Sequence, residues 1–248
     1  MPGEVRLDKE GPVAVLTLAA PQRRNALTPE MVGELIAACD AIDADAGVGA
    51  AVIQSEGASF CAGADRALLA RVAEDPAGEE NFRELGGAYA AFVRVGELRV
   101  PTVAAVRGHA VGAGLNLMLA TDLRIVAEGA RIIPGFLKLG IHPGGGHFAL
   151  LGRVAPRDAV AAMALFGEEI TGERAAALGI AWRAVPEDEV EPLALELAGR
   201  AGADPALARA TVTSLRTVLG PPALTWPAAL QMERAPQMWS LRRNPPGG

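Results

Sequence analysis

Short apolar runs alternate with stretches of helical periodicity over the first two-thirds of the chain. Four runs are short and rich in small or β-branched residues, which predicts buried strands: Val13–Leu18, Ala50–Gln54, Val103–Val106 and Leu123–Ala127. Helices are predicted between them, and Thr28 followed by Pro29 marks one helix start. From Glu189 onward only helical patterns remain. We therefore predict an α/β core at residues 1–190 and a helical C-terminal region at residues 191–248.

Composition and charge exclude several classes of protein. The 248 residues are 50% hydrophobic and 21% charged, with a formal net charge of -6, which is ordinary for a globular protein. No Lys/Arg run is present, which argues against nucleic acid as a partner. Cys39 and Cys61 are too few for a disulfide framework, so free thiols in a reducing compartment are expected. The absence of a signal-peptide pattern and of a membrane-spanning apolar run predicts a cytoplasmic protein.

Two turns rich in glycine and alanine each follow a predicted strand. Gly108, Gly112 and Gly114 lie at one strand-to-helix junction, and Cys61–Asp65 forms the other. Glycine lets the backbone turn sharply and approach a ligand, and the first N–H groups of the next helix have no partner within it. The turns are therefore candidate sites for a negatively charged oxygen. The alternative is that the glycines only close tight turns.

The order of these motifs resembles the enoyl-CoA hydratase/isomerase family, the crotonase superfamily. Arg24-Asn25-Ala26-Leu27 precedes the two turns, Ile170-Thr171-Gly172-Glu173 follows them, and the similarity runs from about Val13 to Val185. The resemblance implies an α/β fold that is a crotonase-like spiral of ββα units with a helical C-terminal trimerisation region. It implies an acyl-CoA substrate, coenzyme A as part of that substrate, no tightly bound cofactor, and a homotrimer or a dimer of trimers.

The resemblance also assigns roles to residues of the two turns. The backbone N–H groups of Ala64 and Ala113 would point at the thioester oxygen. A coenzyme A subsite would comprise Arg23, Arg24, Ala26, Ala62, Ala64 and Asp65. Gly112, Phe136 and Gly140 would contact the acyl part. For the arginines the alternative is a solvated charged loop, and for Asp65 the favoured alternative is a cap on the following helix.

Two positions depart from the hydratases of this family. Asn116 and Phe136 stand where hydratases carry their two glutamates, and neither side chain can serve as a general base. His142 and His147 flank Gly144–Gly146 in a loop that we expect to be flexible. The Gly144 N–H matches one that helps to hold water, and His142 is the preferred candidate base. The histidines lack metal-ligand spacing, so no metal is predicted.

Three classes of function remain open. The first is an acyl-CoA enzyme that performs hydrolysis, decarboxylation or a hydration that uses His142. The second is a non-catalytic acyl-CoA-binding protein, and the third is a structural scaffold. Large apolar residues near the C-terminus predict self-association, with packing inside one chain as the alternative: Trp226, Leu230, Met232, Met238, Trp239 and Leu241.

Overall fold

The computed structural model describes residues 4–218 and 226–243. Within these ranges the strands are β1 (Val5–Glu10), β2 (Val13–Leu18), β3 (Ala50–Ser55), β4 (Ser59–Cys61), β5 (Thr102–Val106), β6 (His109–Val111), β7 (Leu123–Ala127), β8 (Arg131–Ile133), β9 (Ile170–Thr171) and β10 (Arg183–Val185). The helices are α1 (Pro29–Ala44), α2 (Arg66–Glu74), α3 (Glu79–Gly96), α4 (Ala113–Leu119), α5 (His147–Gly152), α6 (Arg157–Phe166), α7 (Gly172–Ala177), α8 (Val190–Gly202), α9 (Pro205–Val218) and α10 (Trp226–Arg243).

The strands form two sheets, and successive strand pairs along the chain contribute one strand to each sheet. The first sheet has the order β1-β2-β3-β5-β7-β10, and the second has the order β4-β6-β8-β9. In the pairs β3–β4, β5–β6 and β7–β8, the first strand joins the larger sheet and the second joins the smaller one. A helix or helical segment follows each pair, so the predicted α/β spiral of ββα units is confirmed.

Both faces of the inner strands of the larger sheet are buried, which explains the nearly continuous apolar runs in these strands. Leu16 and Ile53 lie on one face in the main core, under α1, α3 and α4. Val15 and Val52 lie on the other face, in a second cluster formed with α8. Helix α8, which begins at Val190, therefore shares a core with the sheet. The sequence pattern changes at residue 190, but a division into two domains there stays a prediction.

Several short or exposed strands escaped the sequence pattern. β4 and β6 have three residues each, too few to show a period. The segment predicted as one turn, Gly108–Gly114, therefore contains a strand. β1 is almost entirely exposed and polar, because it lies at a sheet edge and pairs antiparallel with β2 alone. The loop at residues 143–147, predicted to be flexible, is buried throughout.

The C-terminal helices pack on the same chain where the structure describes them. α10 folds back against α2 and α5, and its residues Met238 and Leu241 are buried. Trp226 stacks on Phe92 with ring centroids 6.3 Å apart. Met238 and Leu241 are two of the side chains on which self-association was predicted, and the chain itself already covers these two. The side chains of Met232 and Trp239 lie outside the part of the chain that the structure describes.

None of the helices in the described ranges is both long enough and apolar enough to cross a membrane.

Candidate active site

The two turns meet at one cavity of about 420 Å³. Ala62, Gly63 and Ala64 line it from the first turn, and Gly112 and Ala113 line it from the second. A Cβ atom added to Gly63 would lie 3.4 Å from the Ala113 nitrogen, so the two backbones are in close contact. The structure thus brings together turns that lie about fifty residues apart in the chain.

Strand-like pairing with Leu27 orients the Ala64 N–H. The Leu27 N–H donates to the Gly63 oxygen at 2.8 Å, and the Asp65 N–H donates to the Leu27 oxygen at 3.1 Å. In such a parallel bridge the N–H of the middle residue points away from the partner. The Ala64 N–H therefore faces away from Leu27, and it has no hydrogen-bond acceptor in the described part of the chain.

The Ala113 N–H is left open by its position in a helix. Ala113 is the first residue of α4, after Gly112 with φ +54°, so its N–H has no acceptor within the helix. A Cβ atom at Gly114 would lie 2.2 Å from the Cys61 oxygen. Only glycine allows this close approach, which holds the start of α4 against the end of β4. Two free backbone donors consequently adjoin the same cavity.

A buried asparagine shapes the loop beside the first turn. Asn25 has φ +54°, its Oδ1 accepts from the Ala20 N–H at 2.9 Å, and its Nδ2 donates to the oxygens of Glu56 and Ser59. Arg24, also left-handed, lines the cavity, and its backbone oxygen accepts from the Ala62 N–H at 2.9 Å. Sequence reasoning missed this role of Asn25, although asparagine is a residue that tolerates positive φ.

Several residues of the predicted coenzyme A subsite do not line the cavity. The Arg23 guanidinium is paired with Glu4, and Ala26 lies off the cavity wall. Asp65 caps α2, accepting from the N–H groups of Ala67 and Leu68 at 3.0 and 3.1 Å. The alternative role that the sequence favoured for Asp65 fits this geometry.

Gly140 is not among the residues that line the cavity, although its neighbours Leu139 and Ile141 are. It is exposed, with φ +66°, and ends the 3₁₀ turn Leu137–Leu139. The left-handed backbone conformation favours glycine at this position, so a substrate contact is not needed to explain why residue 140 is a glycine.

Asn116 and Phe136 both line the cavity. Asn116 is 1% exposed, and its Nδ2 donates to the Gly144 oxygen at 2.9 Å. Its Oδ1 lies 2.9 Å from Nδ1 of His147. Phe136 is 7% exposed, with its ring edge-to-face against His147 at 5.0 Å. The two positions that carry acids in hydratases are thus an amide and a hydrocarbon.

Neither of the two loop histidines is among the residues that line the cavity. His142 does not line the cavity; its Nδ1 lies 2.6 Å from the Pro143 oxygen and its ring packs near Phe148. His147 is fully buried behind Asn116, and burial lowers its pKa to about 4. The preference for His142 as the base has no support in this geometry, because His142 is not among the residues that line the cavity.

Comparison with known proteins identifies the chain. A family model described as Enoyl-CoA hydratase/isomerase matches residues 8–230. The chain belongs to the enoyl-CoA hydratase/isomerase family. It is similar to the probable enoyl-CoA hydratase EchA14 of Mycobacterium tuberculosis, with 40% identity over 243 residues, covering 96% of this chain and 92% of the relative.

Other similar proteins differ in their named reactions. The 1,2-epoxyphenylacetyl-CoA isomerase of Escherichia coli is 32% identical over 198 residues, covering 78% of this chain and 74% of that protein. The crystal structure of an enoyl-CoA hydratase from Polaromonas sp. JS666 has a TM-score of 0.81 and 30% identity, covering 94% of this chain and 90% of that one. These likenesses fix the family, and the reaction depends on the side chains present here.

The cavity is lined by several positively charged side chains. Arg24, Arg66, Arg131 and Lys138 line it together with Glu169, the one carboxylate among its described lining residues. Lys138 and Arg131 both pair with Glu169, and the hydrogen bond from Lys138 is the main cause that lowers the pKa of this carboxyl. Glu169 is therefore a weak proton acceptor. The described residues contain no cluster of His, Cys, Asp or Glu able to hold a metal ion.

Tyr89 and Gln237 also line the cavity and were missed in the sequence. Tyr89 belongs to α3 and Gln237 to α10, two helices whose pattern only indicated core packing. A Cβ atom at Gly144 would lie 2.2 Å from the Gln237 amide. The C-terminal helix thus fills the space that a side chain at position 144 would occupy. No local signal marks either residue, because helix packing alone brings them here.

Proposed function

We propose that this protein acts on an acyl-CoA thioester and that the N–H groups of Ala64 and Ala113 stabilise negative charge on the thioester oxygen. The observation that carries the proposal is that both N–H groups adjoin one cavity and have no acceptor in the described part of the chain. Hydrogen bonds of this kind, preorganised in a site shielded from water, typically stabilise a transition state by about 2.7–4 kcal/mol per donor.

Coenzyme A enters as part of the substrate, and no other cofactor is required. Arg24 and Arg66 line the cavity and are exposed, so their guanidinium groups are free to meet phosphate oxygens at its mouth. Arg23 is left out of this role because it pairs with Glu4. The enoyl-CoA and acyl-CoA names of the relatives support the same substrate class.

The side chains favour a reaction that forms an enolate without removing a proton. Asn116 and Phe136 cannot act as bases, and the pKa of Glu169 is lowered by its cationic partners. Decarboxylation meets this condition. The bond between the α-carbon and its carboxylate breaks, CO₂ leaves, and the electron pair forms the thioester enolate. Solvent then protonates the α-carbon, and the only assistance required is at the oxygen.

A second candidate is a non-catalytic acyl-CoA-binding protein. The same lack of a strong proton acceptor among the described lining residues favours it. Its oxygen-binding cradle would then serve affinity alone.

A substrate panel separates these functions. Purified protein is incubated with crotonyl-CoA, malonyl-CoA and methylmalonyl-CoA, and the products are followed by mass spectrometry and by thiol release. Loss of CO₂ from a malonyl-type thioester is the expected result. Saturable binding without product over hours supports the binding protein. Hydration of crotonyl-CoA that His142→Ala abolishes would contradict the proposal, and release of free coenzyme A would indicate hydrolysis instead.

We also propose a homotrimer or a dimer of trimers, on the family resemblance. The exposed apolar side chains available for such an interface include Leu165, Phe166 and Trp182, which are 61%, 81% and 59% exposed. Light scattering that gives the mass of one chain would refute self-association. A cytoplasmic location stays a prediction that cell fractionation can test.

A further inference from the structure

A chain of hydrogen bonds runs from the cavity wall into the core through Asn116. The Gly144 oxygen accepts from Asn116 Nδ2 at 2.9 Å, and Asn116 Oδ1 lies 2.9 Å from Nδ1 of His147. Asn116 lines the cavity, whereas His147 is fully buried behind it. Gly144 and His147, from one loop, therefore bind the two ends of the Asn116 side-chain amide.

The chemistry of the partners determines every proton in this chain. The Gly144 carbonyl can only accept, so the Asn116 atom that faces it must be the NH₂ group. The other amide atom is then the carbonyl oxygen, which also only accepts. His147 must consequently donate through Nδ1–H. A flipped amide would place two oxygens 2.9 Å apart without a proton between them.

The imidazole is uncharged in this arrangement. His147 lies among apolar groups, with the Phe136 ring 5.0 Å and the Phe148 ring 6.1 Å away. Burial lowers its pKa to about 4, so at neutral pH the ring carries one proton. A neutral ring with its proton on Nδ1 is a fixed donor toward Asn116.

We propose that His147 is a positioning residue that fixes the Asn116 amide so that its second N–H is a hydrogen-bond donor to an oxygen on the acyl part of the substrate. One Asn116 N–H is used by Gly144, and no second acceptor for this NH₂ group is found in the described residues. Asn116 lies three residues after Ala113 on α4, which places both on one helix face. The cavity then offers a side-chain donor beside its two backbone donors. This inference rests on the proposed function.

The substrate class that this donor fits is a thioester with an oxygen on its acyl chain, such as a carboxylate or a ketone. A purely hydrocarbon acyl group would leave the N–H unpaired against apolar surface, which is unfavourable. The two kinds of thioester therefore provide matched probes: acetoacetyl-CoA carries the acyl oxygen, and butyryl-CoA lacks it.

The variants are chosen to remove or keep one donor. His147→Leu deletes the Nδ1–H, while His147→Asn keeps an N–H close to the position of Nδ1. Affinities for both probes are measured by calorimetry, with thermal melting to verify folding. His142→Leu is the matched control, because it removes a histidine of the same loop that does not line the cavity.

In His147→Leu we expect acetoacetyl-CoA to bind about tenfold more weakly and butyryl-CoA to keep its affinity, since one neutral hydrogen bond is at stake. His147→Asn should recover most of the loss. Equal weakening of both probes would indicate a merely structural role and overturn the inference. If wild-type protein binds neither probe, the proposed function fails; if it binds both and His147→Leu does too, only the donor role fails.

A second measurement tests the wild-type protein and does not depend on a variant that folds. Nitrogen-15 NMR of the histidine side chains distinguishes the ring protonated on Nδ1 from the ring protonated on Nε2. We expect the proton of His147 on Nδ1 at neutral pH. A proton on Nε2, or on both nitrogens, would contradict the hydrogen-bond chain and remove the basis for the fixed donor.

Discussion

Replacing Ala113 by proline deletes one proposed oxygen-binding N–H and little else. Ala113 is the first residue of α4, where the N–H has no acceptor within the helix. Proline is well tolerated at this position, because its fixed φ suits the first helical turn and the missing N–H is not used there. The substitution therefore removes a hydrogen-bond donor to the ligand and no hydrogen bond within the helix.

The magnitude follows from the role of the group. Loss of one donor of this kind costs about 2.7–4 kcal/mol of transition-state stabilisation, or roughly a hundredfold to a thousandfold in kcat. The substrate identified by the panel is assayed at steady state, and butyryl-CoA affinity is measured in parallel. Ala113→Ser keeps the N–H and is expected to keep most of the activity.

The matched control uses another helix whose first residue also follows a glycine. Glu79 is the first residue of α3, follows Gly78, and is exposed away from the cavity. Glu79→Pro is therefore expected to fold and to react as the wild type does. If Ala113→Pro folds with unchanged kinetics and unchanged thioester affinity, the Ala113 N–H has no part in oxygen binding and the reasoning is refuted.

Three further predictions concern stability and assembly of the site. Gly114→Ala places a methyl group 2.2 Å from the Cys61 oxygen. We expect it to lower the free energy of unfolding, measured by urea denaturation, by about 1–3 kcal/mol. Gly87→Ala lies on an open helix surface and should instead raise the free energy of unfolding by about 0.5–1 kcal/mol. Asp65→Ala removes the cap of α2 and should cost about 1 kcal/mol by the same method, so no loss would argue against a capping role. Burial lowers the pKa of His147 from 6.5 to about 4 in the folded state, so between these pH values the unfolded state binds a proton that the folded state does not. The free energy of unfolding should therefore be unaffected by this group above pH 6.5 and fall by on the order of 3 kcal/mol toward pH 4. His147→Asn should reduce this dependence on pH.

The parts of the fold that the sequence predicted are those with a strong local signal. Thr28 accepts a hydrogen bond from the Met31 N–H and begins α1 as its hydroxyl indicated. The strand Val13–Leu18 is buried on both faces, and its run of residues is accordingly apolar except for Thr17. The three-residue strands β4 and β6 were missed because their pairing comes from neighbours distant in sequence.

The histidine loop shows where local reasoning ends. His142 and His147 belong to the same short segment, and nothing in their spacing says which ring turns inward. Gly145 and Gly146 adopt φ +71° and +77°, and the turn they make directs His147 into the core. The result is set by what packs around the loop, including Trp226 and Gln237 from the last described helix.

The amino-acid sequence by itself determined the longer strands and helices of the core, the family, and the two turns that carry Ala64 and Ala113, because each depends on residues adjacent in the chain. Only the tertiary structure decided that these turns face one cavity, that Asn116 is held by His147, and that α10 reaches the site with Gln237. Those contacts join segments far apart along the backbone. Their geometry is the outcome of packing the whole core, which no local pattern encodes.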